Sequence, residues 1–370
     1  MGRERGRPVE GREHRSAKHH QRAAPSADRR VWLILACFVA ASGLWLRATL
    51  PPVRERTPDE QTYATFAAGF DEVGFGRYAD VVRNFGADPS LAQLPPPTRV
   101  GYLWLAVAAM RVTADRTAAS LALLSALASM LILVGTTLAA WRWPGPPVAA
   151  IAALLLAASP LDLAIARRAW QDDVFALVGV AMAAALAVRA AGMASRKGLS
   201  GAAPALAFFA FAAFALLIKE AALPLLVLGS LLLAWIAWRE GGARAVLPVA
   251  VGFALTVAAV VGLLSVLCGG WETLARTWTG LIRGQDTNEY VRRYQSGGPL
   301  YYVRGLLILQ PVAAILGALG TVLALARPAW MVPGSAPARR AVAALAAWCA
   351  GFALFTACWP LKSLRFMSPI

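Results

Sequence analysis

The chain has 370 residues, 58% of them hydrophobic and 15% charged, with a mean hydropathy of +0.57 and a formal net charge of +16. A soluble domain carries roughly 45–50% apolar and about 25% charged residues, which excludes a soluble enzyme and a disordered chain. Continuous apolar runs also exclude an outer-membrane barrel, whose strands alternate, so the fold class is all-α, a polytopic helical membrane protein.

Residues 1–30 hold nine bases (Arg3, Arg5, Arg7, Arg12, Arg15, Lys18, Arg22, Arg29 and Arg30) against four acids, and almost no apolar side chains. Such a segment is expected to be a disordered basic tail. Beside an apolar run it acts as a topology signal on anionic lipid, so membrane lipids and not nucleic acid are its expected partner. The tail also holds His14, His19 and His20, the only histidines of the chain. A Ser-His-Asp triad and a His-ligated metal site are therefore excluded from the body. Cys37, Cys268, Cys349 and Cys358 lie within or beside apolar runs with no CxxC, the pattern of small apolar residues.

The run Val31–Leu46 comes after too long a polar segment for a secretory signal and is expected to be a retained first span. Spans are expected near 31–50, 118–141, 147–166, 173–191, 202–218, 221–238, 245–268, 301–325 and 341–359, about nine in all. Gly101–Val112 is apolar but too short to cross about 30 Å of hydrocarbon, and is expected to be an interfacial helix. A second interfacial helix is expected where Trp271, Leu274, Trp278 and Leu281 keep helical spacing. The membrane domain, 31–370, is expected to be truncated at its C-terminus, because the chain stops at Lys362–Ile370 without a terminating loop.

With the tail in the cytoplasm, the short loops on that side carry Arg142, Arg196, Lys197, Arg239, Arg244, Arg327, Arg339 and Arg340 against the single acid Glu240. This is the positive-inside pattern. Apart from the tail acids and Glu240, the other 15 of 20 carboxylates fall on the outer side or at outer span ends. Orientation does not require that placement, so it points to chemistry at the outer face.

Four segments there stand out. Thr57-Pro58-Asp59-Glu60 is a capping box with Pro at the first helical position; the box uses Glu60 and does not need Asp59. Arg167-Arg168 precedes Asp172-Asp173, an acid pair that also suits the N-terminus of the next span. Lys219-Glu220 joins two apolar runs with almost no loop, where ionisable groups are costly unless paired or facing water. Lys362 and Arg365 lie between apolar residues at an outer span end, where they could meet a phosphate or snorkel to headgroups. Together these place carboxylates and cations at one membrane face, the set needed to hold a lipid phosphate while a carboxylate handles a proton.

In order and spacing these segments resemble the GT-C superfamily of polyprenyl-phosphate-dependent glycosyltransferases, in the branch of protein O-mannosyltransferases and the lipid A aminoarabinose transferase. Pro58-Asp59-Glu60-x-x-Tyr63 resembles the first-loop acidic motif, and Arg168-x-x-x-Asp172-Asp173 the second. Lys219-Glu220 resembles the Lys-Glu hairpin, Gly298-Pro299-Leu300-Tyr301-Tyr302 the start of a later span, and Arg365-Phe366 the C-terminal basic segment. Leu94-Pro95-Pro96-Pro97 resembles the Lys/His-Pro-Pro segment, but no Lys or His stands there; Arg99 is the candidate replacement.

The resemblance implies sugar transfer, usually inverting, from a polyprenyl-phosphate donor to a protein, lipid or glycan acceptor on the outer face of a plasma membrane. Asp59 would be the base, with Glu60 beside it and Asp173 or Asp172 in support, Asp173 being favoured. Lys219, Arg365, Arg168 and Lys362 would hold the donor phosphate. Asp59 and Asp173 would also be the residues to help hold a divalent metal. The competing classes are a transporter or flippase of lipid-linked sugars and a non-catalytic subunit of the same superfamily. Transporters bind at the midplane, often between repeats, whereas the charges of these spans cluster at their outer ends.

Overall fold

The computed structural model describes residues 26–88, 91, 94–192, 199–287, 297–332 and 335–359. Lys362 and Arg365 lie outside the described residues, as does the tail to residue 25. In chain order the helices are α1 (Ser26–Thr49), α2 (Pro58–Val73), α3 (Tyr78–Ala87), α4 (Val100–Thr113), α5 (Ala118–Arg142), α6 (Pro146–Ala157), α7 (Pro160–Ala166) and α8 (Asp172–Ala190). They continue as α9 (Leu199–Ile218), α10 (Ala222–Gly241), α11 (Ala243–Leu267), α12 (Trp271–Thr287), α13 (Tyr301–Leu309), α14 (Pro311–Ala326), α15 (Pro328–Met331) and α16 (Ala336–Cys358). No strand occurs among the described residues. The first helix starts at Ser26, inside the segment expected to be a polar tail.

Among the described residues six helices are long and apolar enough to cross a membrane: α1, α5, α8, α10, α11 and α16. The expected 147–166 span is the pair α6 and α7, bent by 58°, and the expected 301–325 span is divided into α13 and α14. Both interruptions fall at a proline, Pro160 and Pro311, whose missing N–H and bulky ring stop the preceding helix. Ala202–Ile218 within α9, together with α14, are shorter apolar helices. Six helices among the described residues, or seven with the bent pair taken as one, meet that length and hydropathy, and the expected count of about nine spans is not confirmed.

The centre of the bundle is α8, the most buried of the six long apolar helices, and α1 and α11 are the least buried. It packs on α5, α9 and α16, while α1 lies against α5 and α6. Most of the side chains that α1 leaves exposed are apolar, as suits a lipid-facing helix. One apolar core runs from Tyr63, Phe70 and Tyr78 of the first loop through Tyr102 and Leu103 of α4 to α8, α9 and α10. Helix α4 is buried between α2, α5 and α9, with Val100, Tyr102, Leu103, Ala106, Val107 and Met110 all inside. It is thus wedged in protein, whereas the sequence suggested a helix lying on the membrane surface. Of the apolar face expected on α12, Leu274 is buried, with α3 packed against the helix, while Trp271 stays exposed.

The two ends of the bundle differ in charge. At one, Arg189 of α8 donates to Glu240 of α10 over 2.9 and 2.5 Å, among the arginines of the short loops. The other end gathers the first loop, the α7–α8 connection and the α9–α10 hairpin.

Candidate functional site

The local chemistry of Thr57–Glu60 starts the site. Thr57 has extended backbone, Pro58 opens the helix, and Glu60 closes a capping box by accepting the Thr57 N–H at 2.7 Å. Glu60 does more than cap. Its carboxylate also accepts Arg56 (3.2 Å), Arg168 (3.1 Å) and the backbone N–H of Ala169 (2.8 Å), and it is fully buried. Trp170 Nε1 reaches Thr57 Oγ1 at 3.2 Å, and Val53 N–H reaches Arg167 O at 3.1 Å. Burial pushes the Glu60 carboxyl up, but these hydrogen bonds outweigh it and leave the group below its ordinary range. Glu60 is therefore the residue that sews the first loop to the α7–α8 loop. Arg168, expected at the donor phosphate, is engaged in the same seam, on Glu60 and Glu55 O (3.3 Å) and over the Trp170 ring at 5.0 Å.

Asp59, one residue earlier, is half-buried and electrostatically coupled to Tyr63 one turn on. Tyr63 is fully buried. Desolvation raises its phenol well above the ordinary range; Arg99 opposes this, and Glu220 and Asp59 add to it. It is a neutral hydroxyl that accepts from Arg99 Nη1. Arg99, at the N-terminus of α4, meets Glu220 bidentately, Nη2 to Oε2 at 3.0 Å and Nε to Oε1 and Oε2 at 3.3 and 3.2 Å. Burial pushes the Glu220 carboxyl up, but the Arg99 charge overrides that and holds it below its ordinary range.

Beside Glu220, Lys219 Nζ stands 2.6 Å from Asp172 Oδ1 and 5.6 Å from the Phe175 ring centroid, with both charged side chains buried. The hairpin Lys219-Glu220 thus ties α8 through one residue and α4 through the next. Tyr102 hydroxyl donates to Ala169 O at 3.2 Å and closes α4 onto the α7–α8 loop. Tyr63, Arg99, Glu220, Lys219 and Asp172 form one connected set, with Asp59 one turn before Tyr63 on α2.

Asp173 makes other contacts than Asp172 does. Its charged neighbours are Asp162, Asp172 and Arg47, and its Oδ2 is buried without a hydrogen-bond partner among the described residues. Of the adjacent acids it is Asp172 that meets the lysine, although the sequence favoured Asp173. Among the described residues no group of three or more His, Cys, Asp or Glu side chains is placed to hold a metal ion. Asp59 and Asp173, the pair expected to help hold one, belong to no such group among the described residues.

Two crystal structures match this arrangement of helices. One is ArnT from Cupriavidus metallidurans in the apo state, at a TM-score of 0.55 and 18% identity, covering 92% of this chain and 57% of that one. The other is the same protein bound to undecaprenyl phosphate, at 0.51 and 18%, covering 94% and 58%. The fold is that of ArnT. The chain spans under three-fifths of the length of ArnT. No family model and no curated protein sequence matches the chain.

The sequence singled out most members of this connected set, because they stand at span ends in short motifs. It missed Arg47, Ser129 and Asp162, which meet inside the bundle. Arg47 Nε donates to Ser129 Oγ at 2.7 Å, the Ser129 hydroxyl to Asp162 Oδ2 at 2.9 Å, and Arg47 pairs with Asp162 directly. The one local signal was Pro160 with an acid two residues later, within an otherwise apolar run.

Proposed function

We propose that the chain is a membrane glycosyltransferase that moves a sugar from a polyprenyl-phosphate donor to an acceptor on the outer face. One observation carries the reading: Arg99, Lys219 and Asp172, from three separate elements, are held in ion pairs around the Lys219-Glu220 hairpin, and Arg99 also meets Tyr63, one turn on from Asp59, in a fold shared with ArnT. ArnT has been solved with undecaprenyl phosphate bound. The GT-C motifs of the sequence point the same way.

In this reading the acceptor nucleophile attacks the anomeric carbon as the bond from that carbon to the phosphate oxygen breaks, with inversion. Asp59 takes the acceptor proton, and the bonding pair leaves on the phosphate. Lys219 and Arg99, with Arg365 and Lys362 of the C-terminal segment, balance the charge that develops there. Asp172 holds Lys219 in place, and Glu60 and Arg168 fix the loop that carries Asp59. No step is routed through a metal. The positive loops at the opposite end support a cytoplasmic N-terminus and an outer site in a plasma membrane.

The test is release of undecaprenyl phosphate from a panel of undecaprenyl-phosphate-linked sugars by the full chain in proteoliposomes. Asp59→Asn is expected to insert and fold while losing transfer by about 10²–10⁴-fold. Unchanged transfer in that variant overturns the role of Asp59. Movement of a labelled lipid-linked sugar across the bilayer without product overturns the transferase reading in favour of a flippase.

A further inference from the structure

The bend between α6 and α7 has a chemical cause and a chemical repair. Pro160 has no N–H, so the carbonyl one turn earlier, Leu156 O, loses its intrahelical donor. Arg47 Nη2 supplies one at 3.0 Å, alongside the Ser159 N–H at 3.2 Å. The same guanidinium pairs with Asp162 in the first turn of α7 and, through Nε, with Ser129 on α5. Arg47 therefore holds both limbs of the bend and the neighbouring span, although it is itself only 4% exposed. Gly43, one turn before it, makes the approach: a Cβ there would meet Ala157 Cβ at 2.7 Å and Leu133 Cδ2 at 2.8 Å.

Helix α7 is short and leads directly into the seam under Asp59. Arg167 caps α7, accepts from Val53 N–H at 3.1 Å and donates to Pro51 O at 2.6 Å. Arg168 and the Ala169 N–H then hold Glu60, at 3.1 and 2.8 Å. The direction of α7 thus sets where the first loop is pinned.

We propose that Arg47, buried in the bundle between Ser129, Leu156 and Asp162, is a positioning residue for Asp59. Through Leu156 O and Asp162 it fixes the angle of α7, and through the Arg167–Ala169 segment that angle fixes the helix start that carries Asp59. This rests on the reading of Asp59 as the base, but it has a readout that does not need transfer. In Arg47→Gln, studied as the full chain in lipid nanodiscs, the amides of Val53 and Ala169 should exchange hydrogen at least about tenfold faster. The amides of α10 should stay protected, showing that the bundle is intact. Transfer from undecaprenyl-phosphate-linked sugar should lose kcat by about tenfold or more with donor KM nearly unchanged, because the phosphate-facing cations are not moved. Asp162→Asn, which keeps the groups that Arg47 bonds at Leu156 and Ser129, should show the same split in smaller measure and serves if Arg47→Gln does not fold. Unchanged exchange at Val53 and Ala169 in a folded variant overturns the proposal. So does faster exchange with full kcat. If the unaltered chain transfers no sugar, the functional reading fails, and the exchange result still decides whether Arg47 holds the loop.

Discussion

Lys219 and Asp172 meet at 2.6 Å in the buried interior, one from the α9–α10 hairpin and one from the first turn of α8. Neither has bulk water to offset the loss of its partner, so the single variants and the double variant should part company. Lys219→Met leaves Asp172 without its counter-charge and is expected to cost about 3–5 kcal/mol. Lys219→Met with Asp172→Leu should recover most of that loss in thermal unfolding, while transfer stays absent. Recovery of transfer in the double variant would show that the pair is purely structural.

Glu60 gives a pH test. Its carboxyl titrates below its unfolded value, so the stability it supplies is complete above about pH 4.5 and is lost as pH falls through the lowered value. Unfolding temperature measured from pH 6 to pH 3 should fall more steeply in the unaltered chain than in Glu60→Gln. The variant should already be weaker at neutral pH, having lost the charge that Arg56 and Arg168 face. Parallel curves would remove Glu60 from the acid response.

Arg99 spans Tyr63 and Glu220 with three of its nitrogens. A lysine presents one point charge and cannot cover both partners. Arg99→Lys is therefore expected to lower kcat/KM by about 10–100-fold with little change in insertion, whereas Tyr63→Phe removes only the shared hydroxyl and should lose less. Equal kinetics for Arg99→Lys and the unaltered chain would count against a role for the planar fork.

Gly101 tests how closely α4 must sit on α9. A Cβ there would stand 2.9 Å from Leu217 Cβ and 3.1 and 3.2 Å from its backbone C and O. Backbone cannot rotate aside, so Gly101→Ala should separate the two helices at about 1–3 kcal/mol and disturb Arg99 and Lys219, which flank the contact. The expected signature is a lower unfolding temperature together with reduced transfer, read in the same reconstituted preparation.

The sequence and the structure agree where a rule is local. Thr57-Pro58-Asp59-Glu60 announced its capping box because every donor and acceptor lies within one turn. The second half of what Glu60 does depends on Arg168 and Ala169, 108 and 109 residues away, and no local pattern carries that. Asp172 and Asp173 were legible as a pair, but a helix turns about 100° per residue, so neighbours face different partners. Only the packing of α8 decides which one meets Lys219. The interrupted spans failed in the other direction: hydropathy averages over Pro160 and Pro311, which each break a helix while scarcely altering the window. Arg47 was invisible for the same reason, a single charge at the end of an apolar run whose partner is 115 residues away.

The two proline breaks also touch. Ser159, in the gap between α6 and α7, donates to Gln310, the residue between α13 and α14, at 2.9 Å across 151 positions of sequence. During synthesis the early helices enter the bilayer long before Gln310 has been made. That bond can form only after residue 310 has been made, so it joins the two breaks late in assembly, while the Asp162 N–H is available to Ser159 from the start.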